Sequence, residues 1–339
     1  MGKEFQISFL KRAFLNPALY PDQPQTVAFH ETHISLVFLT GNYAYKVKKP
    51  VDFGFLDFTS IEKRRHYCEQ EVILNRRLAP TLYLGVVGIT QEGEKVILGG
   101  QGDPVEYAVQ MIQIPETSLM NHLLARNEVT LEMIEAISEK LVRFYLNAET
   151  NERISNFARP ERVKEDTDEN FDQTEKYIGA TISKEVYREI QGRTIHFFKD
   201  RGELFVRRID ANRIRDCHGD LRLEHIFWGD EISIFDCIEF NERFRYTDVA
   251  ADIAFLAMDL DYHNRQDLSD HLIRSYIRES GDDELMEILD FYKCYRAYVR
   301  GKVESFRLDD LTISEGAKEE ASKRAQKYFD LAHRYSQRF

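Results

Sequence analysis

The hydrophobic pattern of this chain of 339 residues changes once, close to Pro115. Before that point, short runs of β-branched and aromatic residues alternate with turn residues, which is typical of strands. These runs lie within 26–48 and 82–114, and a helix-like segment at 60–78 separates them. After Pro115, apolar residues recur at helical spacing almost throughout. The sequence therefore predicts an α+β protein in which a small sheet with one main helix precedes a larger, mostly helical part.

Two domains are predicted, residues 1–113 and residues 114–339, with residues 1–25 as a helical cap on the first. The cap is indicated by apolar residues at helical spacing, which are Phe5, Phe9 and Ala13. Three prolines then close it, Pro17, Pro21 and Pro24.

The composition excludes several classes of function. A formal net charge of -12 argues against sequence-independent nucleic-acid binding, which requires a basic surface. No apolar run is long enough to span a membrane, and the N-terminus does not have the order of a signal peptide. The four cysteines are scattered, so neither a disulfide framework nor a structural zinc site is expected. We therefore expect a cytoplasmic protein, and the sequence leaves its oligomeric state open.

Several strings together carry a family resemblance. The segment 218–225 reads HGDLRLEH, 235–240 reads FDCIEF, 248–261 reads DVAADIAFLAMDLD, and 43–46 reads YAYK. They resemble the aminoglycoside phosphotransferase family, in particular its uncharacterised bacterial branch, and HGDLRLEH also resembles the catalytic loop of protein kinases. The resemblance implies a bilobal, protein-kinase-like fold with a small β-rich N-terminal nucleotide-binding lobe. It also implies phosphoryl transfer from ATP to a hydroxyl group.

Within the loop, the resemblance assigns catalysis to Asp220 and Arg222. Asp220 would orient the acceptor hydroxyl or accept its proton, which a carboxylate can do when the transition state is loose. Arg222 would contact the transferred phosphate, because a planar guanidinium matches phosphate oxygens. The alternative for Arg222 is a surface ion pair with Glu224.

The metal ligands implied by the resemblance are Asp236, His225 and Glu239. Asp236 ends a predicted hairpin at 226–236, where kinase-like folds keep the principal Mg²⁺ ligand. Glu239 is a second ligand, an acceptor-site carboxylate or a structural residue. His225 stands where the family has Asn, and imidazole binds Mg²⁺ poorly. Three outcomes stay open: ligation through water, a single metal, or Mn²⁺ in place of Mg²⁺.

In the first domain, Lys46 is the candidate for holding the α and β phosphates of ATP. Strand alternation places it on the same face as Ala44, with Lys48 on that face as a rival. Glu71, on the following helix, is its expected partner, and Glu69 is the second choice.

Weaker nucleotide contacts are assigned to three further residues. No Gly-rich loop precedes Lys46, so backbone amides and Ser35 are left to cover the phosphates. Met111 and Gln113 end the last predicted strand, where kinases bind adenine through main-chain groups.

Two further patterns concern the helical part. Asp252 resembles the buried Asp with which kinases clamp the backbone of the catalytic loop, and Asp248 is the competing candidate as a helix cap. Near the C-terminus, four cations follow helical spacing: Lys293, Arg296, Arg300 and Arg307. We expect this stripe to be a solvated face; the alternative is a contact with an anionic acceptor.

The sequence thus predicts a kinase that uses ATP and Mg²⁺ to phosphorylate an unidentified small molecule. Two alternatives remain: a nucleotide-binding regulatory pseudokinase, suggested by His225, and transfer of AMP to a protein. The acceptor, and the choice between ATP and GTP, cannot be read from the sequence because fold and motif fix only the donor half of the reaction.

Overall fold

The computed structural model describes residues 3–339, and the side chains from Ile7 onward. The strands are β1 (Ala28–Glu31), β2 (Ser35–Leu39), β3 (Tyr43–Lys48), β4 (Tyr83–Glu92), β5 (Lys95–Leu98), β6 (Glu106–Ile112), β7 (Ile214–Asp216), β8 (Ile226–Phe227), β9 (Ser233–Ile234) and β10 (Tyr246–Asp248). The helices are α1 (Lys3–Phe14), α2 (Ile61–Asn75), α3 (Met120–Ala125), α4 (Leu131–Asn147), α5 (Glu152–Ser155), α6 (Pro160–Thr174), α7 (Lys184–Asp210), α8 (Glu242–Arg245), α9 (Val249–Tyr262), α10 (Gln266–Ser280), α11 (Leu285–Phe306) and α12 (Glu315–Ser336). The predicted α+β fold class is confirmed.

The chain forms two compact units, and the first is discontinuous in sequence. It comprises the chain up to Asn127 together with Glu224–Glu242. The second comprises Glu128–Leu223 and Arg243–Phe339. The first unit therefore extends past the predicted boundary at residue 113 and also includes the hairpin β8–β9, because this segment packs with the sheet and α2.

An antiparallel sheet of six strands, in the order β1-β2-β3-β6-β4-β5, is the core of the first unit. Its two faces carry different side chains, since alternate residues of a strand point to opposite faces. On β3, Tyr45 and Val47 join an apolar cluster with Leu10 and Phe14 of α1, so this helix packs on one face of the sheet. The side chain of Phe5 lies outside the described part of the chain.

The opposite face of the sheet is covered by α2, which begins after the N-cap Ser60. The Ser60 hydroxyl accepts a hydrogen bond from the Lys63 amide, which satisfies one of the unpaired donors of the first turn. Cys68 and Val72 of α2 pack against Val109 of β6. This packing determines which side of α2 faces the sheet.

In the second unit, α9 is buried along almost its whole length. Its residues Phe255 and Met258 belong to an apolar cluster that includes side chains from α7, α11 and α12. Antiparallel pairing of β7 with β10 places Asp248 opposite Ile214, so α9 begins beside the start of β7. None of the helices described within residues 3–339 is both long and apolar enough to cross a membrane.

Candidate active site

In the first unit, Lys46 lies between two carboxylates from distant parts of the sequence. Its Nζ is 2.9 Å from Glu71 Oε1 on α2 and 2.8 Å from Asp236 Oδ1, which follows β9. The Lys46 side chain is 15% exposed, whereas that of Glu71 is fully buried. The predicted pairing of Lys46 with Glu71 is therefore observed. Glu69, the second choice, instead pairs with Arg65 on the exposed side of α2.

Lys48 forms a second, fully buried set of ion pairs beside the first. Its Nζ lies 2.6 Å from Glu71 Oε2 and also contacts Glu239 Oε1. Glu71 is therefore shared, with one carboxylate oxygen on each lysine. With all groups ionised, the two lysines and three carboxylates of this ion cluster, Lys46, Lys48, Glu71, Asp236 and Glu239, carry a net charge of -1.

The ion cluster keeps its lysines charged. Burial alone would lower the pKa of Lys46, but the charges of Asp236 and Glu71 outweigh it and raise that pKa well above its usual value. Burial would also lower the pKa of Lys48, but the charges of Glu239 and Glu71 outweigh it and raise that pKa. For Glu71, burial favours the neutral acid, but Lys46 and Lys48 outweigh it and the net pKa is lowered.

Asp236 has a left-handed backbone with φ of 61°, which is uncommon outside glycine. Three consecutive amides hold this turn: Phe235 N donates to the His225 carbonyl at 3.0 Å, Asp236 N to the Tyr83 hydroxyl at 3.3 Å and Cys237 N to Asn75 Oδ1 at 2.9 Å. A strained residue persists when its surroundings fix it in this way, and such residues cluster at functional sites.

The three predicted metal ligands have different surroundings. His225 Nε2 lies 3.6 Å from Asp236 Oδ2, and Glu239 is occupied by Lys48. Across residues 7–339, no group of three or more His, Cys, Asp or Glu side chains is arranged to hold a metal ion. Mg²⁺ often takes only one or two carboxylates and completes its shell with water and phosphates. Asp236 fits that requirement, and the metal roles of all three residues stay predictions.

Three residues remain as candidate nucleotide contacts: Ser35, Gln113 and Met111. Ser35 is fully buried, so its hydroxyl cannot cover phosphates without movement of β2, and the assignment to Ser35 is corrected on this ground. The Gln113 amide donates to the Asn42 carbonyl at 2.9 Å, and its side chain accepts from Gly41 N at 2.8 Å. Gln113 therefore supports the β2–β3 turn. Met111 pairs with Ala44 in the sheet, and its adenine role stays a prediction.

In the second unit, Asp220 lies in the loop that follows β7. Gly219 takes a φ of 85°, which only glycine adopts readily, and this turns the chain immediately before Asp220. Arg222 holds the carboxylate in a bidentate pair, with Nε 2.9 Å from Oδ1 and Nη2 2.9 Å from Oδ2. Arg222 is thus paired with Asp220. Whether it also contacts a phosphate stays a prediction.

Two carboxylates of α9 hold the loop at both ends. Asp252, which is fully buried, accepts hydrogen bonds from His218 N at 2.7 Å and Gly219 N at 2.9 Å. Asp259, two turns further along α9, accepts from Leu223 N at 2.9 Å. The predicted clamp by Asp252 is confirmed, and Asp248 caps α9 by accepting from Ala250 N. Sequence reasoning missed Asp259, although its spacing of seven residues from Asp252 on an apolar helix was the available signal.

The C-terminal basic stripe is not a solvated face, and that prediction is wrong for its first two members. Lys293 is 4% exposed and pairs with Asp261 at 2.8 Å. Arg296 is 7% exposed and donates to the Ala251 carbonyl at 3.2 Å, with its Nη2 3.9 Å from Asp252 Oδ1. Both cations therefore compensate carbonyl or carboxylate groups of α9 inside the second unit.

No protein-family model matches the chain. Two mycobacterial proteins are 34% identical to it over 317 residues: the uncharacterized protein Mb2027c of Mycobacterium bovis and the uncharacterized protein Rv2004c of Mycobacterium tuberculosis. The matched region covers 93% of this chain and 61% of each relative. The chain therefore spans about three fifths of the length of the relatives it matches.

Solved structures with a similar fold include a choline/ethanolamine kinase family protein from Mesorhizobium loti, with a TM-score of 0.50, 11% identity and coverage of 98% of this chain and 100% of that chain. A second, from Ralstonia eutropha, has been assigned as an aminoglycoside phosphotransferase; its TM-score is 0.51 at 12% identity, with 93% of each chain covered. The chain therefore has the kinase-like fold of these proteins, as its motifs predicted. At this level of identity the likeness defines the fold and leaves the substrate open.

Proposed function

We propose that this chain is an ATP-dependent phosphotransferase that acts on a hydroxyl group of a small molecule. The observation that carries the proposal is the position of Lys46, with Nζ 2.9 Å from Glu71 and 2.8 Å from Asp236. A strand, a helix and a hairpin each supply one member of this triad. A lysine held by a helix glutamate, next to a carboxylate suited to Mg²⁺, is the arrangement that phosphoryl transfer in kinase-like folds requires.

Each member of the triad has a separate task in the proposal. Lys46 is charged at neutral pH because its carboxylate partners raise its pKa, so it can bind phosphate oxygens. Glu71 limits the conformations of the Lys46 side chain and thereby aims the ammonium group. Asp236, with its side chain 42% exposed, would hold Mg²⁺, which neutralises charge on the phosphates when bound.

In the second unit, the task assigned to Asp220 is to orient the acceptor hydroxyl. Its two carboxylate oxygens accept hydrogen bonds from Arg222, which fixes the direction of the carboxylate. Asp252 and Asp259 fix the backbone on both sides of Asp220, so the carboxylate is held by a rigid loop.

For the acceptor, we propose a small molecule and not a nucleic acid. The net charge of -12 disfavours a polyanion. Because Lys293 and Arg296 are buried and paired, they give no support to a preference for an anionic acceptor.

The test begins with nucleotide binding. Trp228 is the single tryptophan and lies in the first unit, so its fluorescence reports thermal unfolding of that unit. Saturating ATP with Mg²⁺ should raise the unfolding temperature, by an amount equivalent to about 2.7 kcal/mol at 100 times Kd. Lys46→Met should abolish most of this shift. Glu69→Gln, on the exposed side of α2, is the matched control and should leave the shift unchanged.

Turnover is then measured as ADP formation over a panel of hydroxyl compounds. Asp220→Asn should lower kcat by about 10²-fold or more while leaving ATP binding intact, the range expected when a proton acceptor is lost. Asp230→Asn, in the exposed loop between β8 and β9, is the control. ATP binding without turnover on any compound would favour the regulatory nucleotide-binding alternative that His225 suggests. Covalent AMP on a protein acceptor, detected by mass spectrometry, would favour AMP transfer.

A further inference from the structure

The proposed function gives no task to Lys48, although this lysine is one of the largest fully buried side chains in the described part of the chain. Burying an ammonium group is unfavourable unless carboxylates compensate it. Lys48 has two such partners, Glu71 and Glu239, and its Nζ also lies 5.0 Å from the centre of the Phe58 ring. Because the Lys48 charge is buried and paired with two carboxylates, it does not serve solubility, and we ask what these two contacts position.

Lys48 and Lys46 are linked through a single carboxylate. Glu71 Oε2 lies 2.6 Å from Lys48, and Glu71 Oε1 lies 2.9 Å from Lys46. The two oxygens of a carboxylate are rigidly related, so the contact with Lys48 sets the direction in which the other oxygen points. Lys48 therefore constrains the position of Lys46 without touching it.

The second partner of Lys48 belongs to the segment that carries the proposed metal ligand. Glu239 follows Asp236 by three residues and is almost completely buried, with its side chain 5% exposed. Its contact with Lys48 ties this segment to the carboxylate of Glu71. Glu239, which the sequence suggested as a second metal ligand, is thus paired with Lys48 inside the first unit.

We propose that Lys48 and Glu239 form a positioning pair for the nucleotide site, in which Lys48 orients Glu71, and hence Lys46, while Glu239 anchors the segment after Asp236. The inference rests on the proposed function in that Lys46 and Asp236 are taken to hold the nucleotide and its metal ion. It assigns neither Lys48 nor Glu239 a contact with the nucleotide or the metal.

The test removes both charges together. In Lys48→Met/Glu239→Leu, two apolar side chains of similar volume replace the pair, which keeps the unit folded where a single substitution would leave a buried charge unpaired. The dissociation constant of ATP is measured with Mg²⁺ and again with EDTA. We expect about tenfold weaker binding under both conditions, equivalent to 1.4 kcal/mol. The control Arg65→Met/Glu69→Leu removes an exposed ion pair from α2, the helix that carries Glu71, and its ATP dissociation constant should stay within about twofold of the wild type.

Two results of this experiment would overturn the positioning role. Unchanged ATP affinity in the double variant would mean that the pair serves folding alone. A loss of affinity seen with Mg²⁺ but absent with EDTA would mean that Glu239 is a metal ligand after all.

A second measurement needs no nucleotide and separates this inference from the proposed function. The shift in unfolding temperature caused by Lys46→Met is compared in the wild type and in Lys48→Met/Glu239→Leu, with Trp228 fluorescence as the readout. We expect a larger shift in the second background, because Glu71 then loses its last cation. Equal shifts would refute the coupling through Glu71. Absence of ATP binding by the wild type would refute the proposed function and leave this comparison valid.

Discussion

The clamp formed by Asp252 makes a quantitative prediction for the substitution Asp252→Asn. The carboxylate accepts hydrogen bonds from two buried amides, His218 N and Gly219 N, and from the Tyr145 hydroxyl at 3.2 Å. Asn preserves the shape but replaces one acceptor oxygen by an NH₂ group, which faces an amide donor. Losing a hydrogen bond to a charged group and leaving a buried donor unpaired should destabilise the loop by about 3 kcal/mol.

The loop should then open more often, and amide hydrogen exchange measures this opening directly. A change of 3 kcal/mol corresponds to about 10²-fold faster exchange, since each 1.4 kcal/mol is tenfold. The assay is exchange of peptides that contain His218 and Gly219, followed by mass spectrometry. Tyr145→Phe removes a single hydroxyl and should accelerate exchange by less than tenfold, consistent with about 1 kcal/mol for one hydrogen bond.

Asp270→Asn, an exposed substitution on α10, is the control for general loss of stability. If the exchange of the 217–220 amides in Asp252→Asn stays within about threefold of the wild type, the clamp does not hold the loop. Equal acceleration of exchange in all regions of the second unit would also contradict a local clamp, because the loss of stability would then be global.

Two further predictions concern the second unit. Arg208 is fully buried and pairs with Asp248 and Asp282, so Arg208→Met should lower the free energy of unfolding by about 3–5 kcal/mol. Arg207→Met breaks only exposed ion pairs and should lower it by less than about 1 kcal/mol. Urea denaturation followed by circular dichroism measures both values, and equal effects would contradict this prediction. Burial lowers the pKa of Lys302 from 10.5 to about 8, so the unfolded state binds more protons between these values, and this lysine makes stability rise as the pH increases from 8 to 10.5. This pKa difference is equivalent to about 3 kcal/mol, but the Met variant also loses the hydrogen bonds of Lys302 to Asn170 and Gln173, which offset about 2 kcal/mol. Lys302→Met should therefore raise stability at pH 7 by about 1 kcal/mol, and this effect of pH should end above pH 10.5; a stability difference independent of pH would exclude the titration as its cause.

Local patterns were sufficient to predict most strands and the main helix of the first unit. The alternation in YAYKVK placed Lys46 and Lys48 on one face, and the helical spacing around Glu71 placed this carboxylate on α2. Both signals act over a few residues, where backbone geometry alone fixes the direction of a side chain.

The burial of Lys48 could not be predicted in the same way. Its compensating carboxylate, Glu239, is 191 residues away in sequence, and the string KVKKP by itself is simply basic. The stripe with Lys293 and Arg296 was misjudged for the same reason, since its partners are supplied by α9. Whether a charge is solvated or buried depends on which elements pack together, and periodicity does not contain that information.

The interrupted path of the chain through the first unit has a consequence for its synthesis. Residues up to Asn127 leave the ribosome before the hairpin segment Glu224–Glu242 has been translated. During that interval Lys46 and Lys48 share only the Glu71 carboxylate, because Asp236 and Glu239 do not yet exist. About a hundred further residues must therefore be translated before both lysines have all their carboxylate partners, and an N-terminal fragment that ends before Glu239 cannot reproduce the finished ion cluster.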